Sequence, residues 1–239
     1  MSPSQSVVFL FDVDNTLFDN DALQGQLSAY LRDSFGAGAC ARYWALFEEL
    51  RAALGYADYL GALERLRLER PGEPELLRAA FFFLDYPFAR GLYPGALAAL
   101  ARCATFGPTV ILSDGDAVLQ PLKVRAAGLW EAVGGRVLIY VHKEQMLEDV
   151  ARHYPAAHYV LVDDKVRILA AVKQCWGEHV TTVFPRQGHY AADTAELARY
   201  RQPDVTLANI AALERCSAGV FSGAATLQQV PLGPTGKGT

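Results

Sequence analysis

Asp12 and Asp14 stand one residue apart at the end of the apolar run VVFLF, residues 7–11. On extended backbone, side chains at i and i+2 point to the same side. Three further polar clusters also follow apolar runs: Ser113-Asp114-Gly115-Asp116, His142-Lys143-Glu144 and Asp163-Asp164-Lys165. Crowded carboxylates cannot all stay ionised without a counter-charge. Hard oxygen ligands with few other donors suit Mg²⁺, which keeps several waters and takes one or two carboxylates. Lys143 offers a second positive charge. Ser113 and the turn after it offer a hydroxyl and free backbone N–H groups for anionic oxygens. A cation, an ammonium group and N–H donors around an aspartate suit phosphoryl transfer, in which phosphoryl oxygens are held while a nucleophile attacks in line.

These residues need elements that bring them together. The runs at 7–11, 109–113, 136–141, 158–163 and 180–184 are short and rich in β-formers, most of them apolar throughout. That pattern predicts strands covered on both faces, as in a parallel sheet. Helical segments are expected between the later runs, at 117–128, 143–153 and 166–176, the last stopped by Gly177. Alternation of this kind predicts an α/β fold with a doubly wound parallel sheet. The carboxyl ends of parallel strands share one edge, where ligands bind, and the polar clusters all fall there.

The interval between the first and second runs breaks the alternation. It reads as helices at 21–35, 42–54, 56–68 and 74–84, with breaks at GAGA (36–39), Gly55 and PGEP (71–74). We therefore expect a helical subdomain over 20–90, inserted into a core formed by 1–19 and 91–216. A core helix is expected over 94–103. The tail, 217–239, reads as a loose or partly docked extension. Its GPTGKGT resembles a phosphate loop but follows no strand.

With these motifs in place, the chain resembles the haloacid dehalogenase-like (HAD) hydrolases. The resemblance spans about residues 7–185 and rests on FDVDNTL, on Ser113, on Lys143 and on the VDD at 162–164. It implies a Rossmann-like core, with the insert in the place of that family's helical C1 cap. It implies that Asp12 is the nucleophile, forming an aspartyl-phosphate. Asp14 matches the general acid and base, with its backbone carbonyl on Mg²⁺. Thr16 would bond within the loop and keep the two aspartates in register. Ser113, with Asp114, would bind phosphoryl oxygens, and Lys143 would bridge nucleophile and phosphoryl group. Asp164 would bind Mg²⁺ directly alongside Asp12, with Asp163 in support. Lys123 is the weaker candidate for the family's lysine. It lies ten residues past Ser113, inside an expected helix, and should face away from the strand ends.

The reaction expected from this set is Mg²⁺-dependent hydrolysis of a small phosphorylated metabolite. Asp14 favours that over carbon–halogen cleavage, because an alkoxide leaving group needs an acid and a halide does not. A 2-haloacid dehalogenase and a phosphomutase of the same fold are the alternatives, and a non-enzymatic binding protein ranks last. In the insert, Arg42, Tyr43, Trp44, Arg51, Tyr56 and Tyr59 are candidates for the pocket wall, although aromatics at helical spacing more often pack. His142 and His189 border the expected site, His189 more as a surface histidine than as a substrate contact.

Bulk properties narrow the class. The 239 residues are 51% apolar and 20% charged, with a net charge of -4, as in ordinary globular chains. No basic block predicts nucleic-acid binding, and no apolar stretch predicts a membrane span. MSPSQS lacks the basic and apolar regions of a secretory signal. The four cysteines, with no CxxC pair, are expected as reduced thiols in a cytoplasmic protein.

Overall fold

The computed structural model describes residues 7–221. Six strands form one sheet in the order β3-β2-β1-β4-β5-β6, every neighbouring pair parallel. They are β1 (Val7–Phe11), β2 (Thr109–Asp114), β3 (Val137–Tyr140), β4 (His158–Val162), β5 (Val180–Pro185) and β6 (Val205–Leu207). This is the doubly wound, Rossmann-like order. β1 lies between β2 and β4, so the loops that follow these three strands meet at the crevice where such sheets bind ligands.

The apolar runs are continuous because both faces of the sheet are covered. Phe9 and Phe11 of β1 join Ile111, Val160, Val162 and Val183 in one core cluster. Val8 and Leu10 point the other way, toward Val110, Leu112 and Leu161. The first face is packed by α4 (Ala96–Ala104), α5 (Leu119–Ala126), α6 (Leu129–Ala132) and part of the insert. The second is packed by α7 (Leu147–His153) and α8 (Val166–Trp176). A last short helix, α9 (Thr194–Arg199), and the edge strand β6 were not anticipated from the sequence. Each is too short to show a period.

The chain between β1 and β2 is helical, as expected. It carries α1 (Asn20–Leu54), α2 (Tyr59–Glu69) and α3 (Ala79–Leu84), with single 3₁₀ turns at Pro74–Arg78 and Phe88–Gly91. The first two expected helices are one element, α1, kinked at Gly36. That residue has φ 84° and ψ 162°, a conformation only glycine adopts without cost. Asp19 caps α1, accepting a hydrogen bond from the Ala22 amide at 2.9 Å.

Part of the C-terminal extension is docked. Phe221, in a 3₁₀ turn at Ala218–Phe221, is buried edge-on against Phe9 at 5.1 Å between ring centres. The rest of that tail, GPTGKGT included, and the N-terminal MSPSQS lie outside the described residues. None of the four cysteines is in a disulfide. No helix among the described residues is long and apolar enough to cross a membrane.

Candidate active site

Asp12 follows β1 directly, and its amide donates to the carbonyl of Val162 on β4 at 3.0 Å. This bond locks the start of the β1 loop to the end of the neighbouring strand. Asn15 then turns the chain at φ 57°, and its Oδ1 accepts from the amides of Asn20 and Asp21 at 3.0 and 3.2 Å. The side chain thus satisfies the donors that the turn exposes. Thr16 is fully buried, and its hydroxyl accepts the Asp164 amide at 3.0 Å. The sequence reading placed the Thr16 bond within its own loop. The structure places it across to the β4 loop, so it fixes Asp12 and Asp164 relative to each other.

Lys143 follows β3 and is 1% exposed. Its Nζ lies 2.5 Å from Asp12 Oδ1 and 2.6 Å from Asp163 Oδ2. Burial by itself would favour the neutral amine, but the facing carboxylates Asp12, Asp163 and Asp114 outweigh it and raise the lysine's pKa above the ordinary value. Asp163 and Asp164 are fully buried, and desolvation pushes both above the usual carboxylate range, against the opposing pull of Lys143 and Lys165. Asp163 also accepts the Lys165 amide at 2.8 Å at the start of α8.

A cation fits here. Ligand oxygens of Asp12, Asp163 and Asp164 lie within 4.8 Å of one another. Asp12 Oδ2 and both oxygens of Asp164 are buried with no hydrogen-bond partner. Orphaned carboxylate oxygens of this kind are costly, and a hard divalent cation is the partner their chemistry suits.

Ser113, at the end of β2, is buried. Its hydroxyl lies 3.4 Å from Asp12 Oδ1 and accepts the Gln120 Nε2 donor at 2.9 Å. The Asp114 carboxylate accepts the Lys143 amide at 2.7 Å, so this side chain braces the lysine loop. Burial pushes its pKa up to about 6 although Lys143 pulls it down. The amide of Gly115 is likewise engaged, with Tyr140 O at 3.0 Å, so it is not a free donor. Gly115 is required for packing: a Cβ there would sit 2.6 Å from Gln120 Cβ and force α5 away. Asp116 accepts from the Val118 and Leu119 amides in the turn that leads into α5.

The largest correction concerns Lys123. It does not face away. It is 1% exposed and lies 2.5 Å from Asp14 Oδ1. Gln120, one turn earlier on α5, reaches Asp14 Oδ2 at 3.4 Å. α5 starts at the strand-end edge, so its first turns lie beside the β1 loop. The signal available in the sequence was the i, i+3 spacing of two long polar residues in an otherwise apolar helix face. Asp14 therefore stands apart from the Asp12–Asp163–Asp164 cluster and faces a cavity.

That cavity measures about 740 Å³ and lies between the strand ends and the insert. Arg51, Tyr56 and Tyr59 line it from the insert, as do His142, Lys165 and His189 from the core. Lys165, which the sequence reading gave no role, is held protonated against burial by Asp164 and Asp12. His189 is at the site: its ring meets Asp21 Oδ1 at 2.7 Å, and its amide donates to Asp21 Oδ2. The other insert candidates pack elsewhere. Arg42 pairs with Glu69 and Glu49 on the surface, Tyr43 is core, and Trp44 donates to Ser28 Oγ.

No protein-family model and no curated protein sequence matches the chain. Solved structures do. A haloacid dehalogenase-like hydrolase from Burkholderia xenovorans is 56% identical, over 91% of this chain and 99% of that one, with a TM-score of 0.86. This chain is a haloacid dehalogenase-like hydrolase. Two more distant members of similar fold are an L-2-haloacid dehalogenase from Xanthobacter autotrophicus with chloropropionic acid covalently bound, and the magnesium-bound HAD-hydrolase YfnB from Bacillus subtilis. The first is 22% identical over 87% of this chain and 96% of that one, TM-score 0.55. The second is 16% identical over 88% and 97%, TM-score 0.57. At such identities the likeness is one of fold.

Proposed function

We propose that this HAD-like hydrolase is a Mg²⁺-dependent phosphatase that cleaves small phosphorylated metabolites through an aspartyl-phosphate on Asp12. The observation that carries this is the separation of the two β1-loop carboxylates. Asp12 is held by Lys143 among the buried carboxylates, while Asp14 is held by Lys123 and borders the cavity. One carboxylate is thus available as nucleophile and the other for proton transfer.

In this reading an Asp12 oxygen attacks phosphorus, and the bond to the leaving oxygen breaks. Asp14 gives that oxygen its proton. Water then attacks the phosphorus of the acyl-phosphate and Asp14 takes the water's proton, releasing inorganic phosphate and restoring Asp12. Lys143 and the Ser113 hydroxyl hold phosphoryl oxygens. Asp12, Asp164 and the backbone carbonyl of Asp14 would hold Mg²⁺, with Asp163 in support. Bound there, the ion would neutralise charge on the phosphoryl oxygens. The insert, residues 20–90, serves as a cap that excludes water and selects the substrate over the core of 1–19 and 91–216. Four thiols free of disulfides support a reducing compartment such as the cytoplasm.

The test is hydrolysis of a panel of phosphate monoesters with and without Mg²⁺, beside Asp12→Asn. Turnover that needs the ion and is lost in the variant is expected. Metal-independent turnover, or full activity in Asp12→Asn, sinks the mechanism. Chloride release from a 2-chloroacid without metal would establish the dehalogenase instead.

A further inference from the structure

Lys123 is a buried cation with no role in the chemistry assigned so far. Burying an ammonium group is expensive unless it is paired, and an apolar residue of similar size is often the more stable choice. Its surroundings are partly apolar, with the Phe18 ring centre 5.3 Å from Nζ. The polar partners are two: Asp14 Oδ1 at 2.5 Å and Asn20 Oδ1 at 3.2 Å.

Asn20 extends the chain of contacts out of the core. It is the first residue of α1, where the backbone leaves the sheet for the insert. Its Oδ1 accepts from Lys123, and its Nδ2 donates to the hydroxyl of Tyr59 at 3.0 Å. The amide orientation is set by the Lys123 end, because a flip would turn the Nδ2 donors against a donor-only ammonium group. Gln24 gives the Tyr59 hydroxyl a second donor at 2.9 Å. Tyr59 opens α2 and is fixed within the insert by ring contacts to Phe47 and Phe83 at 4.7 and 5.7 Å. An unbroken path of polar contacts thus runs Asp14–Lys123–Asn20–Tyr59, from the β1 loop to the insert. Lys143 cannot substitute for Lys123, since it is engaged by Asp12 and Asp163.

We propose that Lys123 is a positioning residue that ties the Asp14 carboxylate to the helical insert through Asn20 and Tyr59, so that docking of the insert and orientation of Asp14 are one event. The proposal rests on the phosphatase reading for its kinetic consequence, because Asp14 is there the group that protonates the leaving oxygen. Its geometric content stands without that reading.

The kinetic test uses kcat/KM with Mg²⁺ over phosphate monoesters whose leaving groups range from alkyl alcohols to p-nitrophenol. This parameter reports the step in which the leaving group departs, and p-nitrophenolate departs without an acid. Lys123→Met should lower kcat/KM for alkyl esters about 100-fold, within the range of general acid catalysis, and for p-nitrophenyl phosphate by about threefold or less. Lys123→Arg should recover most of the alkyl activity. Tyr59→Phe, which leaves the core intact, should show the same leaving-group bias at about tenfold. Equal losses at both ends of the series, or none, overturn the proposal, and an unbiased Tyr59→Phe overturns the link to the insert. The crystal structure of Lys123→Met gives an answer independent of activity: Asp14 should leave its place beside α5. An unmoved Asp14 overturns the proposal even if the wild type hydrolyses no phosphate ester, the result that would instead end the phosphatase reading. If Lys123→Met does not fold, Lys123→Arg and Tyr59→Phe decide.

Discussion

Replacing Lys143 with methionine removes a buried charge while keeping much of its volume. The wild-type ammonium sits 2.5 and 2.6 Å from Asp12 and Asp163. At an effective dielectric of about 20, each attraction is worth roughly 6 to 7 kcal/mol before desolvation is subtracted. Breaking such a buried pair from one side costs about 3–5 kcal/mol net, because the carboxylates stay behind without a partner. The variant has an escape that the wild type does not need. Asp163 is already driven upward by burial, and without the lysine it takes up a proton in the folded state. Unfolded aspartate stays ionised above about pH 4. The folded variant therefore binds one proton more than its unfolded chain, and its stability relative to wild type rises as pH falls, by about 1.4 kcal/mol per unit. The deficit should be largest at pH 8 and shrink by up to about 4 kcal/mol at pH 5. Urea unfolding of both proteins at the two pH values, without divalent metal, measures it. A deficit below about 1 kcal/mol at pH 8, or one equal at both pH values, would refute the argument that Lys143 is the charge partner of these buried carboxylates.

Asp114 has a folded pKa of about 6, above its unfolded value, so its stabilising contribution is complete below about pH 4 and lost as pH rises through 6. Asp114→Asn keeps an acceptor for the Lys143 amide without the charge, so it should erase up to about 3 kcal/mol of that pH-dependent loss, read from unfolding curves at pH 4 and 7. Thr16→Val is close in shape but leaves the buried Asp164 amide without its acceptor. It should cost about 1–3 kcal/mol and weaken the stabilisation given by added Mg²⁺; unchanged urea midpoints with and without the ion would contradict this.

The strands and the site's main members were legible because both signals are local. A run such as VVFLF is apolar at every position only if both sheet faces are covered, and Val8 and Phe9 do enter opposite core clusters. Polar residues directly after such runs must lie at the sheet's carboxyl edge, which places Asp12, Ser113, Lys143 and Asp164 together without any knowledge of helix packing. The strand order was not local: β6 is three residues long, and nothing in its sequence says that it closes the far edge.

Side-chain partners belonged to the tertiary structure alone. Thr16 reads as a loop residue, yet its hydroxyl serves an amide 148 positions away. Asp114 and Asp116 look like members of the same acidic turn, yet one braces Lys143 and the other holds the amides leading into α5. The position of Lys123, ten residues past Ser113 inside an expected helix, predicts a side chain facing away from the strand ends. The placement of α5 against the β1 loop turns it inward, and Asp14 supplies the charge that makes a buried lysine tolerable. Sequence alone determined which groups gather at the sheet edge, since backbone periodicity dictates it. Only the packing of α5 and the insert decided which cation holds which carboxylate, because pairing depends on distances between segments far apart in the chain.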